Sequence, residues 1–286
     1  LGKIMLKNGQ ISFYMKKHNI RLICSDIDGT LLDKNRELSS KTRAVFGQLK
    51  DIYPSVLISS RMPKSLRQLQ AELGIENDPI IAYNGSLIQW KGETLFSQEI
   101  PFALLEKMVE YTKGTNIHLS LYHKDEWVVP ADDYWAKREV HNTKVAPIIA
   151  PLAASLADWR KRNISAHKVM CMGEEEEIEV LYQQLQLHQN EINAYRSKNT
   201  YIEVSHIEQD KASALSLLLQ QNYSEIEMEN VVAFGDNYND TTLLENAGLG
   251  VAVANAKEEV LKSSNTVCKA NIEDGVALYL EALLLQ

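Results

Sequence analysis

Short apolar runs recur along the chain, and each is followed by a stretch with helical periodicity. The runs are "RLICS", "SVLIS", "PIIAYNG", "NVVAFGD", "GVAVAN" and "NTVC". Unbroken apolar runs of this length read as strands buried on both faces. Between them, "SSKTRAVFGQLKD" brings Val45, Phe46 and Leu49 onto one face behind a starting Ser, and "MPKSLRQLQAELG" has Pro63 in its first turn and Gly74 as its stop. Such alternation admits few folds. Parallel strands cannot be joined by a tight turn, and the crossover helix both connects them and covers the sheet. The chain is therefore expected to be α/β with a largely parallel sheet.

The pattern changes from about Phe102. Just before it, "SLIQW" and "ETLFSQEI", joined by Lys91-Gly92, read as a hairpin. "FALLEKMVEYTKG" is a helix, "IHLSLYHKDEWVVP" two antiparallel strands, and Tyr134 to about Arg162 mostly helical. "HKVMCMG" is a strand, and "EEEEIEVLYQQLQLHQ" a helix whose acidic first turn, Glu174–Glu177, suits the macrodipole. "INAYRS" and "TYIEVS" follow as strands. The parallel pattern then resumes with the helix "DKASALSLLLQQ"; "NDTTLLENAG" reads as a helix with an Asn cap and a Gly stop. One domain is thus expected from both chain ends, residues 15–100 and 200–286, with a second domain of antiparallel strands and helices inserted at 101–199. Residues 1–14 form an extension to which no role is assigned, Met15 being an alternative start.

With 286 residues, 45% of them hydrophobic and 24% charged, the chain has the composition of a globular protein with a sizeable core. A formal net charge of −8 has the wrong sign for holding a nucleic-acid backbone. No apolar run approaches the roughly 18 residues of a membrane span, and the N-terminal stretch lacks the apolar block of a signal peptide. Cys24, Cys171 and Cys268 are odd in number, far apart and without metal-ligand spacing. A cytoplasmic setting is expected on that basis.

Ligands of open α/β sheets bind beyond the carboxyl ends of the strands. After the first strand stand Asp26 and Asp28; after the second, Ser59, Ser60 and Arg61; after the third, Asn84 and Gly85; after "VVAFG", Asp236, Asn239 and Asp240. Carboxylates gathered this densely repel one another unless a cation sits among them. Hard oxygen ligands in that number imply Mg²⁺, which is commonly shared with phosphate. A strand-end hydroxyl on Ser59 suits a phosphate oxygen. Lys211, in the first turn of its helix, opposes the macrodipole, and a helix N-terminus with a Lys is a natural phosphate cradle. Plain readings stand beside these. Ser59 has the alternative of bonding backbone, Arg61 of pairing with an acid, and Asn84 of forming a turn. His141, His167 and His206 show no metal-site spacing. Trp127, Trp135, Arg138 and Arg196 lie in the inserted region, where packing and solvation are the common fates of such residues.

The chain resembles the phosphatases of the haloacid dehalogenase superfamily, and among them the Cof-type group with a large inserted cap. The resemblance rests on Asp26-Ile27-Asp28-Gly29-Thr30, Ser59 in "LISSR", Lys211, and Gly235-Asp236-Asn237-Tyr238-Asn239-Asp240, with "YNGSLI" before the cap. Members often carry Thr-Gly-Arg where this chain has Ser59-Ser60-Arg61. The resemblance spans roughly Arg21 to the C-terminus and is only topological across the cap. It implies a Rossmann-like parallel-sheet core with an inserted α/β cap, and Mg²⁺-dependent hydrolysis of a small phosphorylated metabolite, such as a sugar phosphate, through an aspartyl-phosphate. On that pattern Asp26 is the nucleophile and Asp28 the acid and base. Asp26, Asp236 and the main-chain carbonyl of Asp28 hold the metal. Ser59, Lys211 and Asn239 bind phosphate, and Asp240 orients metal waters or Lys211. Neither nucleic acid nor membrane is an expected partner, and the oligomeric state is left open.

Two rival readings fit the acidic cluster less well. Carbon–halogen hydrolases of the same superfamily do not need a second Asp or a metal, so Asp28 argues against them. A receiver-type signalling domain also sets acids, a Ser or Thr and a Lys around Mg²⁺, but such domains are much shorter and lack the Asp two residues on.

Overall fold

The computed structural model of the chain describes residues 19–208 and 210–285; the N-terminal extension lies outside them. The first part of the chain runs β1 (Leu22–Ser25), α1 (Ser40–Leu49), β2 (Ser55–Ile58), α2 (Pro63–Leu73), β3 (Ile80–Ala82), β4 (Leu87–Trp90) and β5 (Glu93–Ser97). The middle part runs α3 (Phe102–Tyr111), β6 (His118–His123), β7 (Glu126–Val129), α4 (Tyr134–Thr143), β8 (Ile148–Ile149), α5 (Leu152–Arg162), β9 (Lys168–Met172), α6 (Glu175–Gln186), β10 (Ile192–Lys198) and β11 (Tyr201–His206). The last part runs α7 (Lys211–Asn222), β12 (Val231–Gly235), α8 (Thr241–Asn246), β13 (Leu249–Val253), α9 (Glu258–Ser263), β14 (Thr266–Cys268) and α10 (Gly275–Leu284).

Strands from the two chain ends share one eight-stranded sheet, ordered β14-β13-β12-β1-β2-β3-β4-β5. It is parallel from β14 to β3, and β4 and β5 fold back as the hairpin expected around Lys91-Gly92. From β1 the chain moves one way through β2 and β3, then returns to build β12, β13 and β14 on the other side. The strand order thus reverses between β1 and β12. At such a point the crossovers diverge and a crevice opens beyond the strand ends. The unbroken apolar runs follow from burial on both faces. Leu22 and Cys24 join the apolar layer of Leu215 and Leu218 on α7, while Ile23 joins that of Phe46 on α1 and Leu66 on α2. Each such fully buried side chain contributes about 1.5–3 kcal/mol.

A six-stranded sheet, ordered β10-β11-β9-β6-β7-β8, carries the middle of the chain and is antiparallel except between β7 and β8. Its two faces differ. Leu119, Leu121, Val169, Cys171, Ile202 and Val204 pack with residues of α3, α5 and α6 such as Leu105, Trp159 and Leu181. The intervening Lys168, Met172, Tyr201, Glu203 and Ser205 line a cleft shared with the first sheet. Period-two alternation alone separates an apolar floor from a polar roof.

One local expectation is refined and another corrected. The stretch from Tyr134 to Arg162 is mostly helical, as expected, in α4 and α5, but β8 interrupts it, pairing Ile148 and Ile149 with Val128 and Val129. Pro147 and Pro151 flank that strand, and a proline inside a helix removes a hydrogen bond and clashes with the preceding turn. In "NDTTLLENAG" the helix begins only at Thr241. Asn237, not Asn239, caps a 3₁₀ turn over Tyr238–Asp240. Asp240 does not cap α8 with its side chain, because both its oxygens are engaged elsewhere.

Candidate active site

The reversal point assembles the acidic residues. The N–H of Asp26 still bonds the Phe234 carbonyl of β12, at 3.0 Å, so Asp26 leaves the sheet beside Asp236. The Gly-Thr that follows Asp28 is explained by the neighbouring strand. Thr30 Oγ1 donates to Asp236 Oδ1 at 2.9 Å, and Gly29 has φ +85° with the Asp236 carboxylate lying against it. A Cβ at Gly29 would stand 2.5 Å from Asp236 Oδ2, so both the backbone conformation and the clearance require glycine.

Lys211 opens α7. The side chain of Asp210 caps that helix by accepting from the N–H groups of Ala212 and Ser213. Lys211 is then buried completely, and its Nζ donates to Asp26 Oδ1 at 2.5 Å and to Asp240 Oδ1 at 2.6 Å. Asp240, also 0% exposed, accepts the N–H groups of Asp236 and Asn237 on its other oxygen, both at 3.0 Å. Ligand oxygens of Asp26, Asp236 and Asp240 lie within 4.8 Å of one another. One ammonium therefore faces three carboxylates. Burial would push Lys211 down, but Asp240 and Asp26 outweigh it and hold the ammonium above its ordinary value. Burial raises Asp26 well above the carboxylate range against the pull of Lys211, with Asp240 and Asp236 adding to the rise. Burial, then Asp240, lifts Asp236 to about 6. Negative charge is in surplus here.

Asp28 stands apart from that cluster. Arg61 grips it in bidentate fashion, Nε on Oδ2 at 2.6 Å and Nη2 on Oδ1 at 2.7 Å, and Arg36 adds a contact at 2.8 Å. Burial opposes ionisation, but the two arginines win and hold the carboxyl below its ordinary value. Arg61 is thus an ion-pair partner. Ser59 is buried, and its hydroxyl accepts the Arg61 N–H at 3.2 Å. Asn239 is exposed at the rim and donates through Nδ2 to Asn84 Oδ1 at 3.0 Å; Asn84 in turn donates to Glu203 Oε1 at 3.1 Å.

Beside these groups opens a cleft of about 550 Å³, a volume suited to a small metabolite; Asp26, Ser59, Asp236 and Asp240 lie behind its lining. Asp28, Lys211, Asn84 and Asn239 line its lower side, and Trp135, Arg138, Lys168, Tyr195 and Glu203 its roof. Of the four inserted-region residues singled out in the sequence, Trp135 and Arg138 reach the cleft. Trp127 is buried against Tyr122, and Arg196 pairs with Glu179. His167 lies beside His123 and Glu99, with its Nε2 2.9 Å from Ser97 Oγ. Sequence reading missed Glu203, Lys168, Arg36 and Tyr195. The usable signal was strict alternation in Tyr201-Ile-Glu203-Val-Ser205, which gives β11 one polar face.

No helix among the described residues is long and apolar enough to cross a membrane. The family model of haloacid dehalogenase-like hydrolases matches residues 23–280. A 5-amino-6-(5-phospho-D-ribitylamino)uracil phosphatase of Bacillus subtilis is 32% identical over 271 residues, covering 91% of this chain and 94% of that protein. A haloacid dehalogenase-like hydrolase of Bacteroides thetaiotaomicron superposes with a TM-score of 0.84 at 27% identity, over 93% of this chain and all of the other. A protein of Thermotoga maritima does so with a TM-score of 0.82 at 28% identity, over 92% and 97%.

Proposed function

The chain belongs to the haloacid dehalogenase-like hydrolases, and we propose that it hydrolyses a small phosphate monoester, a sugar phosphate or similar metabolite, through an aspartyl-phosphate on Asp26 and with Mg²⁺. The observation that carries this reading is the fully buried Lys211 bonded to both Asp26 and Asp240 at the base of the cleft. A lysine sunk among acids at a strand-order reversal has the makings of a phosphate clamp and little use as a solubility device.

The residues fit a divalent cation. Three carboxylates within 4.8 Å share one ammonium, the donors are all hard oxygens, and the raised Asp26 and Asp236 mark uncompensated charge. Asp26, Asp236 and the main-chain carbonyl of Asp28 would hold Mg²⁺, with Asp240 orienting Lys211 and the metal's waters. When bound, the ion supplies positive charge against the phosphoryl oxygens.

In the first half-reaction an Asp26 carboxylate oxygen attacks phosphorus, and the bond to the leaving alkoxide breaks as Asp28 gives that oxygen a proton. In the second, Asp28 takes a proton from water, whose oxygen attacks phosphorus and frees Asp26. The Arg61 and Arg36 contacts suit the second half, because they keep Asp28 ionised and able to accept. The first half requires Asp28 to leave that grip and gain a proton. Lys211, Ser59 and Asn239 neutralise charge on the transferring oxygens. The second sheet and its helices cover the site as a cap, which excludes bulk water and selects the leaving group.

Phosphate release from a panel of monoesters, with Mg²⁺ and with excess chelator, is the test. We expect repeated turnover on several small phosphate esters that chelator abolishes. Full activity after metal stripping, or a single stoichiometric phosphorylation without turnover, would sink the reading.

A further inference from the structure

The turn that ends β3 is strained and sits between the two halves of the molecule. Tyr83 and Asn84 have φ of +54° and +55°, and Gly85 has φ of +112°. An aromatic residue in the left-handed region is a genuine outlier, and such strain persists only where the surroundings over-determine it. Here they do. The Tyr83 hydroxyl donates to the Lys124 carbonyl, in the turn between β6 and β7, at 2.7 Å, and its ring stacks on His167, just before β9. A Cβ at Gly85 would lie 2.5 Å from the Asp210 carbonyl, so the turn rests directly on the start of the helix that carries Lys211. Between these holds, Asn84 Nδ2 donates to Glu203 Oε1 and Asn84 Oδ1 accepts from Asn239 Nδ2.

Resting on the reading of Asn239 as a phosphate contact, we propose that Glu203, on β11 of the second sheet just past the limit of 199 expected for the insertion, and Asn84, in the turn after β3 of the first sheet, form a polar relay that fixes which side of the Asn239 amide faces phosphate. A carboxylate can only accept. Glu203 therefore obliges Asn84 to present its NH₂, which leaves the Asn84 oxygen for Asn239. Asn239 must then present its own NH₂ to that oxygen, and the second N–H of the group remains for a phosphate oxygen. Burial raises the Glu203 carboxyl; Lys168 works against that and favours its charged form, with its Nζ 4.0 Å from Glu203 Oε2 and donating to the Ser60 carbonyl at 2.7 Å. Without Glu203 both amides are free to flip, and the Asn239 oxygen would repel phosphate as readily as its NH₂ attracts it. Seating the cap thus finishes the phosphate site, although neither Glu203 nor Asn84 needs to touch phosphate. Both are positioning residues.

The test reverses the relay's polarity. Asn84→Asp keeps the shape but sets an acceptor against an acceptor. The inhibition constant of orthovanadate and KM for p-nitrophenyl phosphate should both rise about tenfold or more, the scale of a lost charge-assisted hydrogen bond. Adding Glu203→Gln restores the order of donor and acceptor, since the introduced amide donates to the introduced carboxylate, which accepts from Asn239. The double variant should therefore recover most of the loss, whereas two merely structural positions would add their damage. A double variant as weak as Asn84→Asp overturns the relay, as does an Asn84→Asp that binds vanadate like the parent. Asn239→Ala separates this inference from the reading beneath it. If vanadate binding ignores Asn239→Ala, the phosphate role falls; if Asn239→Ala weakens it and the double variant gives no rescue, the relay alone falls. Should Asn84→Asp fail to fold, Glu203→Ala introduced into Asn239→Ala decides instead. The relay requires no further loss there, and multiplied losses overturn it.

Discussion

The floor and the roof of the cleft are built on opposite principles. In the floor, Lys211 and Asp240 are completely buried and fixed by short ion pairs, and Asp28 is gripped by Arg61. In the roof, Trp135, Arg138, Lys168, Tyr195 and Glu203 come from α4, β9, β10 and β11, and Arg138 has only the Trp135 ring, 5.8 Å away, as a described partner. A floor held this rigidly suits chemistry, where a small misplacement is costly. Lys168 and Glu203 are held across the cleft, but Trp135, Arg138 and Tyr195 are only half-buried or exposed, and side chains of that kind suit selection among leaving groups. The contrast teaches that the tightest electrostatic constraint is concentrated where the acids of the strand ends meet.

The largest effect should come from the floor. On the proposed mechanism Asp26→Asn removes the nucleophile and a charged metal ligand, and should lower turnover by about 10⁴-fold or more while abolishing the phosphoenzyme in single-turnover labelling. Asp28→Asn should lose about 10²–10⁴-fold in turnover of alkyl phosphates, yet titrate with Mg²⁺ nearly as the parent does. Metal affinity as poor as that of Asp26→Asn would show that the two carboxylates share one task.

Metal affinity should also depend on pH. Asp236 is lifted to about 6 by burial and by Asp240, so it holds a proton below that pH and must release it to ligate. Mg²⁺ affinity, read by calorimetry, should fall as pH drops through about 6. A pH-independent affinity between 5 and 7 would remove Asp236 from the ligand set.

The roof should respond more gently. Arg138→Ala should change KM by about tenfold between substrates that differ in the leaving group, with kcat on p-nitrophenyl phosphate near that of the parent. A uniform fall in kcat would mean that the roof takes part in chemistry, and the comparison would fail.

The smallest effect lies outside the cleft. Burial lifts Asp78 to about 6, although its carboxylate accepts the Ser55 N–H at 2.9 Å. The folded state therefore holds this proton more tightly than the unfolded chain. Its contribution is favourable at low pH, is lost between about pH 4 and pH 6, and leaves a fixed cost above that. Asp78→Asn keeps an acceptor for Ser55 and removes the charge. It should stabilise the protein by about 1 kcal/mol at pH 7 in denaturant titration, with little gain at pH 4. Activity should not change.

The sequence by itself determined the parallel sheet and the cluster of acids at its carboxyl ends. Doubly buried strands must be continuously apolar, and a chain that ends such strands in Asp26, Asp236 and Asp240 leaves little choice about where those carboxylates meet. Helix limits at Ser39, Pro63 and Gly74 were equally local, since capping and backbone conformation are set within a few residues. Tertiary structure alone decided the rest. That Asp28 is gripped by Arg61 and Arg36 depends on where loops of β1 and β2 approach each other. That Lys168 and Glu203 belong to the site, and Trp127 and Arg196 do not, depends on which face of the second sheet turns toward the first. Alternation marks two faces on a strand but does not say which of them meets water and which meets another sheet. Only the packing of α3, α5 and α6 on one face leaves the other to close over Asp26.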